Sequence, residues 1–195
     1  MFHANTRKVI EDWNARRGAR RAPARADISP GAFSDLVPQL FILGAAGDGT
    51  EPFRLAGGLL ADLHDRDLRG VDFFSLFIGE DKDAAREALA TARRTGSPVV
   101  IDASGWSAAG DEARLEIVLA PLLGPSGDMD RVLGLYQPTS SVRRLMGARI
   151  EALTLNEVRL ADLGPLAAFV PSAAGPHRRD RSHLRLVALN GERVG

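Results

Sequence analysis

Apolar residues recur along this chain at two periods, and each period names an element. Between Thr6 and Arg17, the residues Val9, Ile10 and Trp13 fall on one stripe with Arg7, Lys8, Glu11 and Asp12 around it, which predicts an amphipathic helix. A polar, arginine-rich connector runs from Gly18 to Asp27. Ser29-Pro30 then reads as an N-cap followed by proline at the first helical position, opening a short helix with Phe33, Leu36 and Val37 on one side and Pro38 at its end. Leu40 to Leu43 is a short apolar run stopped by the turn-forming stretch Gly44 to Gly49, and Phe53 to Ala56 is a second run with Arg54 interposed. Both read as strands. Gly57-Gly58 leads into one or two helical turns carrying Leu59, Leu60 and Leu63. After a charged, turn-like segment to Gly70, a phenylalanine-rich short helix spans Val71 to Ile78.

The helical period is clearest over Asp81 to Arg94, where Ala84, Ala85, Ala88, Leu89 and Ala92 make a small-residue face ended by Gly96 and Pro98. The period then changes to two. Pro98 to Ala103, Ala113 to Leu123 and Arg131 to Gln137 predict three consecutive strands, with Leu115, Ile117 and Leu119 alternating against Arg114, Glu116 and Val118 in the middle one. The connectors Ser104 to Asp111 and Gly124 to Asp130 are short and glycine-rich, as antiparallel neighbours in a meander require, and Trp106 falls in the first of them as a lid or a packing anchor. Beyond Pro138 the pattern weakens. Ile150 to Leu160 fits a strand or a short helix, Ala173 to Asp180 an exposed loop, and His183 to Leu189 a strand with Asn190-Gly191 as its turn.

Composition narrows the function classes. The 195 residues suit one generous domain, and the 25 Lys+Arg balance the 25 Asp+Glu, so no global charge calls for a polyanion. There is no cysteine, which removes disulfide scaffolds, thiolate metal sites, cysteine nucleophiles and flavin–cysteinyl photochemistry together. The N-terminus lacks an apolar signal core and no stretch reaches membrane-span length, so a soluble, cytoplasmic protein is expected.

Catalytic signatures are missing. The Gly44 to Gly49 spacing does not fit a dinucleotide fingerprint, no P-loop exists, and Gly105-Trp106-Ser107 does not continue as a nucleophile elbow. His3, His64, His177 and His183 are scattered, and no enzyme is expected. Asp62, His64, Asp65 and Asp67 are the densest group of hard ligands but read as a solvated turn, so no metal site is expected. The run Arg16, Arg17, Arg20, Arg21 and Arg25 reads as a solvated linker, or else as a contact for a phosphate backbone, an acidic protein or an anionic ligand; nucleic acid is not favoured. Arg54 alternates to the outer side of its strand, or, turned inward, would bind a carboxylate or phosphate.

The words Trp13-Asn14-Ala15-Arg16-Arg17-Gly18, Pro23-Ala24-Arg25-Ala26-Asp27-Ile28-Ser29-Pro30, Phe53-Arg54-Leu55-Ala56-Gly57 and Asp67-Leu68-Arg69-Gly70 resemble a bacterial family of stand-alone PAS-domain proteins, over roughly the first three quarters of the chain. The element order from Leu40 to Gln137 resembles the PAS order as well. In one place the chain departs from the family pattern: a helix-ending glycine is replaced by Asp65, a residue that tolerates a left-handed backbone. The resemblance implies an α+β fold with a PAS-like five-stranded antiparallel sheet, short helices on one face, an N-terminal amphipathic helix able to cover the other, and a C-terminal extension. The division implied is 1–39 for the N-terminal helical extension, 40–138 for the PAS core and 139–195 for the C-terminal extension.

The same resemblance implies a non-enzymatic sensory or regulatory module that binds a small ligand, a signalling partner protein, or both; the alternative is a dimerisation domain with a filled core. Phe53, Leu55, Leu59, Phe73, Phe74, Phe77, Ile101, Leu115, Ile117, Leu133 and Leu135 are expected between helices and sheet, with Arg54 and His64 as its candidate polar contacts. Val9, Ile10 and Trp13 are candidates for a homodimer interface. Haem-binding PAS proteins take an axial histidine from the long helix, and Asp81 to Arg94 has none, so the cofactor stays unidentified.

Overall fold

Strands that are apolar on both sides must be covered on both sides. In the computed structural model, which describes residues 1–28, 30–145, 148–161, 163 and 186–188, seven strands form one sheet whose central strands are covered by helical segments on both faces. They are β1 (Leu40–Gly44), β2 (Phe53–Ala56), β3 (Val99–Trp106), β4 (Glu112–Leu122), β5 (Arg131–Pro138), β6 (Ala152–Leu160) and β7 (Leu186–Ala188). Their spatial order is β2-β1-β5-β4-β3-β6-β7. Every neighbouring pair is antiparallel except β6 with β7.

The first five strands are the expected sheet. The next, β6, settles the choice between strand and helix after Ile150: it runs the length of β3, from Val99 opposite Leu160 to Trp106 opposite Ala152. β3 itself continues beyond Ala103, where the sequence pattern ends it, to Trp106. Trp106 is therefore a strand residue, flanked by Glu112 and Ala152 and donating its indole N–H to the Thr154 hydroxyl at 3.0 Å, rather than part of a glycine loop. Of the expected strand His183 to Leu189, β7 covers the centre. Ser29, the loop Ala173 to Asp180, the turn Asn190-Gly191, His177 and His183 lie outside the described residues.

The inner face carries α2 (Gly58–His64), a 3-10 turn Phe73–Leu76 and α3 (Asp81–Thr95), whose Ala84, Ala85, Ala88, Leu89 and Ala92 are buried. Gly96 ends α3 at φ +65°, where glycine is unstrained and other residues rarely sit. The outer face is covered by α1 (Ala4–Arg17) and by Phe33 and Leu36 of the 3-10 segment Pro30–Gln39. That segment runs past Pro38 to Gln39, and Val37 points to solvent at 45% exposure instead of joining Phe33. Val9, Ile10 and Trp13 pack with Val100, Val118, Leu133 and Leu135, and the Trp13 indole N–H donates to the Pro121 carbonyl at 2.8 Å. These three side chains are thus occupied inside the chain. A symmetry mate would have to undock α1 to reach them, which corrects their assignment to a dimer interface. No described helix is long and apolar enough to cross a membrane.

The arginine run is also occupied. Arg16 pairs with Asp12 and donates to the Asp27 carbonyl, Arg20 pairs with Asp27, and Arg21 donates to the Arg94 carbonyl at the end of α3. Arg17 is buried with its guanidinium over the Trp13 ring. Arg25 differs from these four: its side chain has no ion pair or ring partner among the described residues.

Candidate functional site

The site forms where inward residues of the sheet meet the short helices. On β5 the inward positions are Val132, Gly134 and Tyr136. Gly134 pairs with Phe41 across the sheet, and a Cβ there would collide with carbons of the Phe41 ring. The glycine is needed for space, since the ring lies over its backbone. Phe41 then meets Phe53 edge-on at 5.4 Å and stacks on Phe73 at 5.9 Å, while Phe73 meets Phe74 and Phe77 edge-on at 5.7 and 5.4 Å. Each such pair contributes roughly 0.5–1.5 kcal/mol beyond the area it buries. Ile101, Leu115 and Ile117 complete the sheet side, and Leu59, half-buried, packs against the same cluster.

One polar contact stands in this carbon-lined interior. His64, the last residue of α2, turns its ring inward, and Nε2 lies 3.1 Å from the Tyr136 hydroxyl, with the rings edge-on at 5.8 Å. The chain can leave α2 here because Asp65 takes the left-handed conformation at φ 48°, ψ 39°, the one such non-glycine residue described. That matches the tolerance expected of aspartate. Burial pushes the imidazole down to about 4, helped by the Arg66 charge and opposed by a contact to the Ile150 backbone. Burial also drives the Tyr136 phenol well above its ordinary value. Both groups are therefore neutral at pH 7, and together offer one hydrogen bond whose direction follows the imidazole tautomer.

Leu145 and Ile150 close this end. Both belong to the inner cluster, the Ile150 N–H donates to the Leu63 carbonyl at 2.7 Å, and the Ile150 side chain fills the space above Gly105. Sequence reasoning missed these two residues, and also Phe41, Tyr136, Leu60 and Leu63. Phe41 and Tyr136 sit in runs apolar on both faces, where alternation carries no phase.

That loss of phase explains the misplaced residues. Phe53, Leu59, Phe73, Phe74, Phe77, Ile101, Leu115 and Ile117 come together between helices and sheet, and His64, which the sequence reads as part of a solvated turn, is buried with them. Leu133 and Leu135 do not: they face the opposite side, under α1. Leu55 and Arg54 are on the outside as well. Phe53 pairs with Leu43 and Leu55 with Ile42, so Arg54 is an extra residue in β2 and the bulge flips Leu55 outward, to 47% exposure. Among the described residues no three His, Asp or Glu side chains converge at metal-binding spacing.

A sheet in the order 2-1-5-4-3 with the longest inner helix before β3 and short helices on the same face defines the class, and a family model described as a PAS domain matches residues 1–137. The chain belongs to the PAS-domain family. No curated protein matches it. Among solved structures it is similar to a Rhodobacter sphaeroides LOV protein (15% identity, 61% of this chain and 73% of that one, TM-score 0.44). It is also similar to a blue-light activated histidine kinase of Erythrobacter litoralis (20% identity, 58% and 36% of the two chains, TM-score 0.44). The chain spans 65% of the length of a variant RsLOV structure, at 17% identity, 57% coverage of this chain and TM-score 0.45.

Proposed function

We propose that this PAS domain is a non-enzymatic sensory module that takes a small, largely apolar ligand between the short helices and the sheet and passes the result to a signalling partner. The observation behind this reading is the neutral His64–Tyr136 pair, a single hydrogen-bonding point in an aromatic and aliphatic interior. Small-molecule sites have that character: mostly apolar walls and few, well-placed polar groups. A ligand with one hydroxyl or carbonyl can replace the contact between the two rings, whereas a charged ligand would meet no counter-charge from either.

Entry displaces Leu145 and Ile150, which pack into the inner cluster, Ile150 being tied to the Leu63 carbonyl just before β6. A ligand favouring the displaced arrangement shifts the population toward it and changes the surface offered to a partner. Without cysteine, this chain offers no thiol for an adduct to a chromophore.

Mass spectrometry under non-denaturing conditions on freshly purified protein, with an absorption spectrum of the same sample, tests the reading. A stoichiometric extra mass that is lost in a His64→Leu/Tyr136→Phe variant supports it. A bare dimer with neither extra mass nor absorbing group, unchanged by added apolar ligands, favours a dimerisation module instead.

A further inference from the structure

The groove away from His64, beside the outer layer, has a distinct chemistry. It lies between the connector residues 24–26 and the β4–β5 hairpin, is an open-sided groove of about 520 Å³, and has Ala24, Ala26, Leu123 and Pro125 as apolar walls. That volume is in the range that holds a small ligand. The connector is pinned there by two backbone hydrogen bonds, Leu123 N–H to the Pro23 carbonyl at 2.9 Å and Arg25 N–H to the Leu123 carbonyl at 3.0 Å.

The charge at this groove is one-sided. Arg25 and Arg131 line it, with Asp130 between β4 and β5 as the one acidic lining residue. Asp130 is committed to Arg131 at 3.0 Å. Arg54, exposed on β2 next to the lining residue Arg131, adds a further cation at the edge of the groove. Its Nε and the Arg131 Nη1 stand 2.8 and 3.1 Å from the place a Gly44 Cβ would occupy, so the two guanidinium groups flank one glycine. Arg54 has a single long contact, 3.5 Å to the Gly44 carbonyl. Neither Arg25 nor Arg54 has an ion pair among the described residues, so two positive charges remain after Asp130 is counted. Like charges held this close repel unless an anion joins them.

We infer that this groove binds a small amphipathic anion, a carboxylate or phosphate on a short apolar body, with Arg131 and Arg54 or Arg25 on the anion and Ala24, Ala26, Leu123 and Pro125 along the body. Guanidinium groups suit both head groups through paired N–H donors. A bound anion would also tie the connector to the hairpin and so strengthen the docking of α1.

The test is a titration of the full chain with octanoate, followed by backbone amide NMR at low ionic strength. Saturable shifts gathered at residues 24–26, 44, 54, 123–124 and 131, weakened by added salt on the order of 0.5 M, would support the site, as would roughly tenfold weaker binding in an Arg25→Gln/Arg54→Gln variant. Both arginines are exposed, so the variant should fold, which its thermal midpoint checks. Unchanged affinity in that variant, shifts gathered instead around Leu60, Phe73 and Tyr136, or no saturable shift would overturn it. Inorganic phosphate is the second probe: equal affinity for it would overturn the amphipathic class, because the apolar walls would then contribute nothing. These outcomes do not depend on whether the interior binds a ligand.

Discussion

His64 shows how far one side chain's behaviour is set by its surroundings. The imidazole is buried at the end of α2, faces the Tyr136 hydroxyl, and feels the charge of Arg66. Burial, with that charge, takes it from the ordinary 6.5 to about 4. The folded state therefore resists protonation where the unfolded chain accepts it. The unfolded chain binds more protons between those two values, so stability falls as pH is lowered from about 6.5 toward 4. The full effect is on the order of 3 kcal/mol, at about 1.4 kcal/mol per pH unit. Urea unfolding at pH 7 and pH 5 should show a loss that is clearly smaller in a His64→Gln variant. Equal losses in the two proteins would mean that other groups dominate the acid response. The sequence shows a histidine among acidic residues and suggests a solvated turn; only the inward rotation of the ring makes it a buried neutral partner.

Among the elements, α1 is the best example of a helix fixed by what it covers. Its net hydrophobic content is low, and its stability as part of the fold comes from Val9, Ile10 and Trp13 entering the outer face of the sheet. Trp13 is fully buried and its N–H is satisfied by the Pro121 carbonyl. Trp13→Ala should then cost about 3–5 kcal/mol and raise the binding of a hydrophobic dye, because Val118, Leu133 and Leu135 become accessible. A variant that instead keeps its unfolding midpoint and only loses a dimer would return Trp13 to the interface role that its spacing in sequence suggests. The stripe is legible in the sequence, since one amphipathic face is enough to recognise it. Which surface it meets is not, because its own sheet and a second copy present the same chemistry.

Across the whole molecule, the main consequence of packing is the integration of the described residues from Leu145 to Leu160. Leu145, Ile150, Leu153, Leu155 and Val158 are part of the inner cluster, and β6 pairs with β3 along its whole edge. A chain ending at Pro138 should therefore lose a large part of its stability and expose the edge of β3 to edge-to-edge association. The measurement is the urea midpoint and the concentration dependence of the mass by light scattering. A truncated chain as stable as the intact one, with the same concentration dependence of its mass, would make 139–195 a true appendage and leave 40–138 as a self-sufficient core.

Local periodicity and turn residues set most of the elements as far as Gln137 and their order, the resemblance to PAS proteins supplies the five-stranded sheet, and the end of β3 and the strand nature of β6 come only with pairing. Inward faces are legible too wherever a charged residue marks the other side, as Arg114 and Glu116 do for Leu115, Ile117 and Leu119. The remainder waits for the strands to pair. In β5 both faces are apolar, so nothing local says that Gly134 and Tyr136 face inward and Leu133 and Leu135 outward. In β2 a single extra residue reverses the direction of Leu55, and that bulge arises from pairing with β1, not from the residues of β2 alone. The side a residue faces, and with it the membership of each site, is a property of register, and register exists only once strands have found their partners.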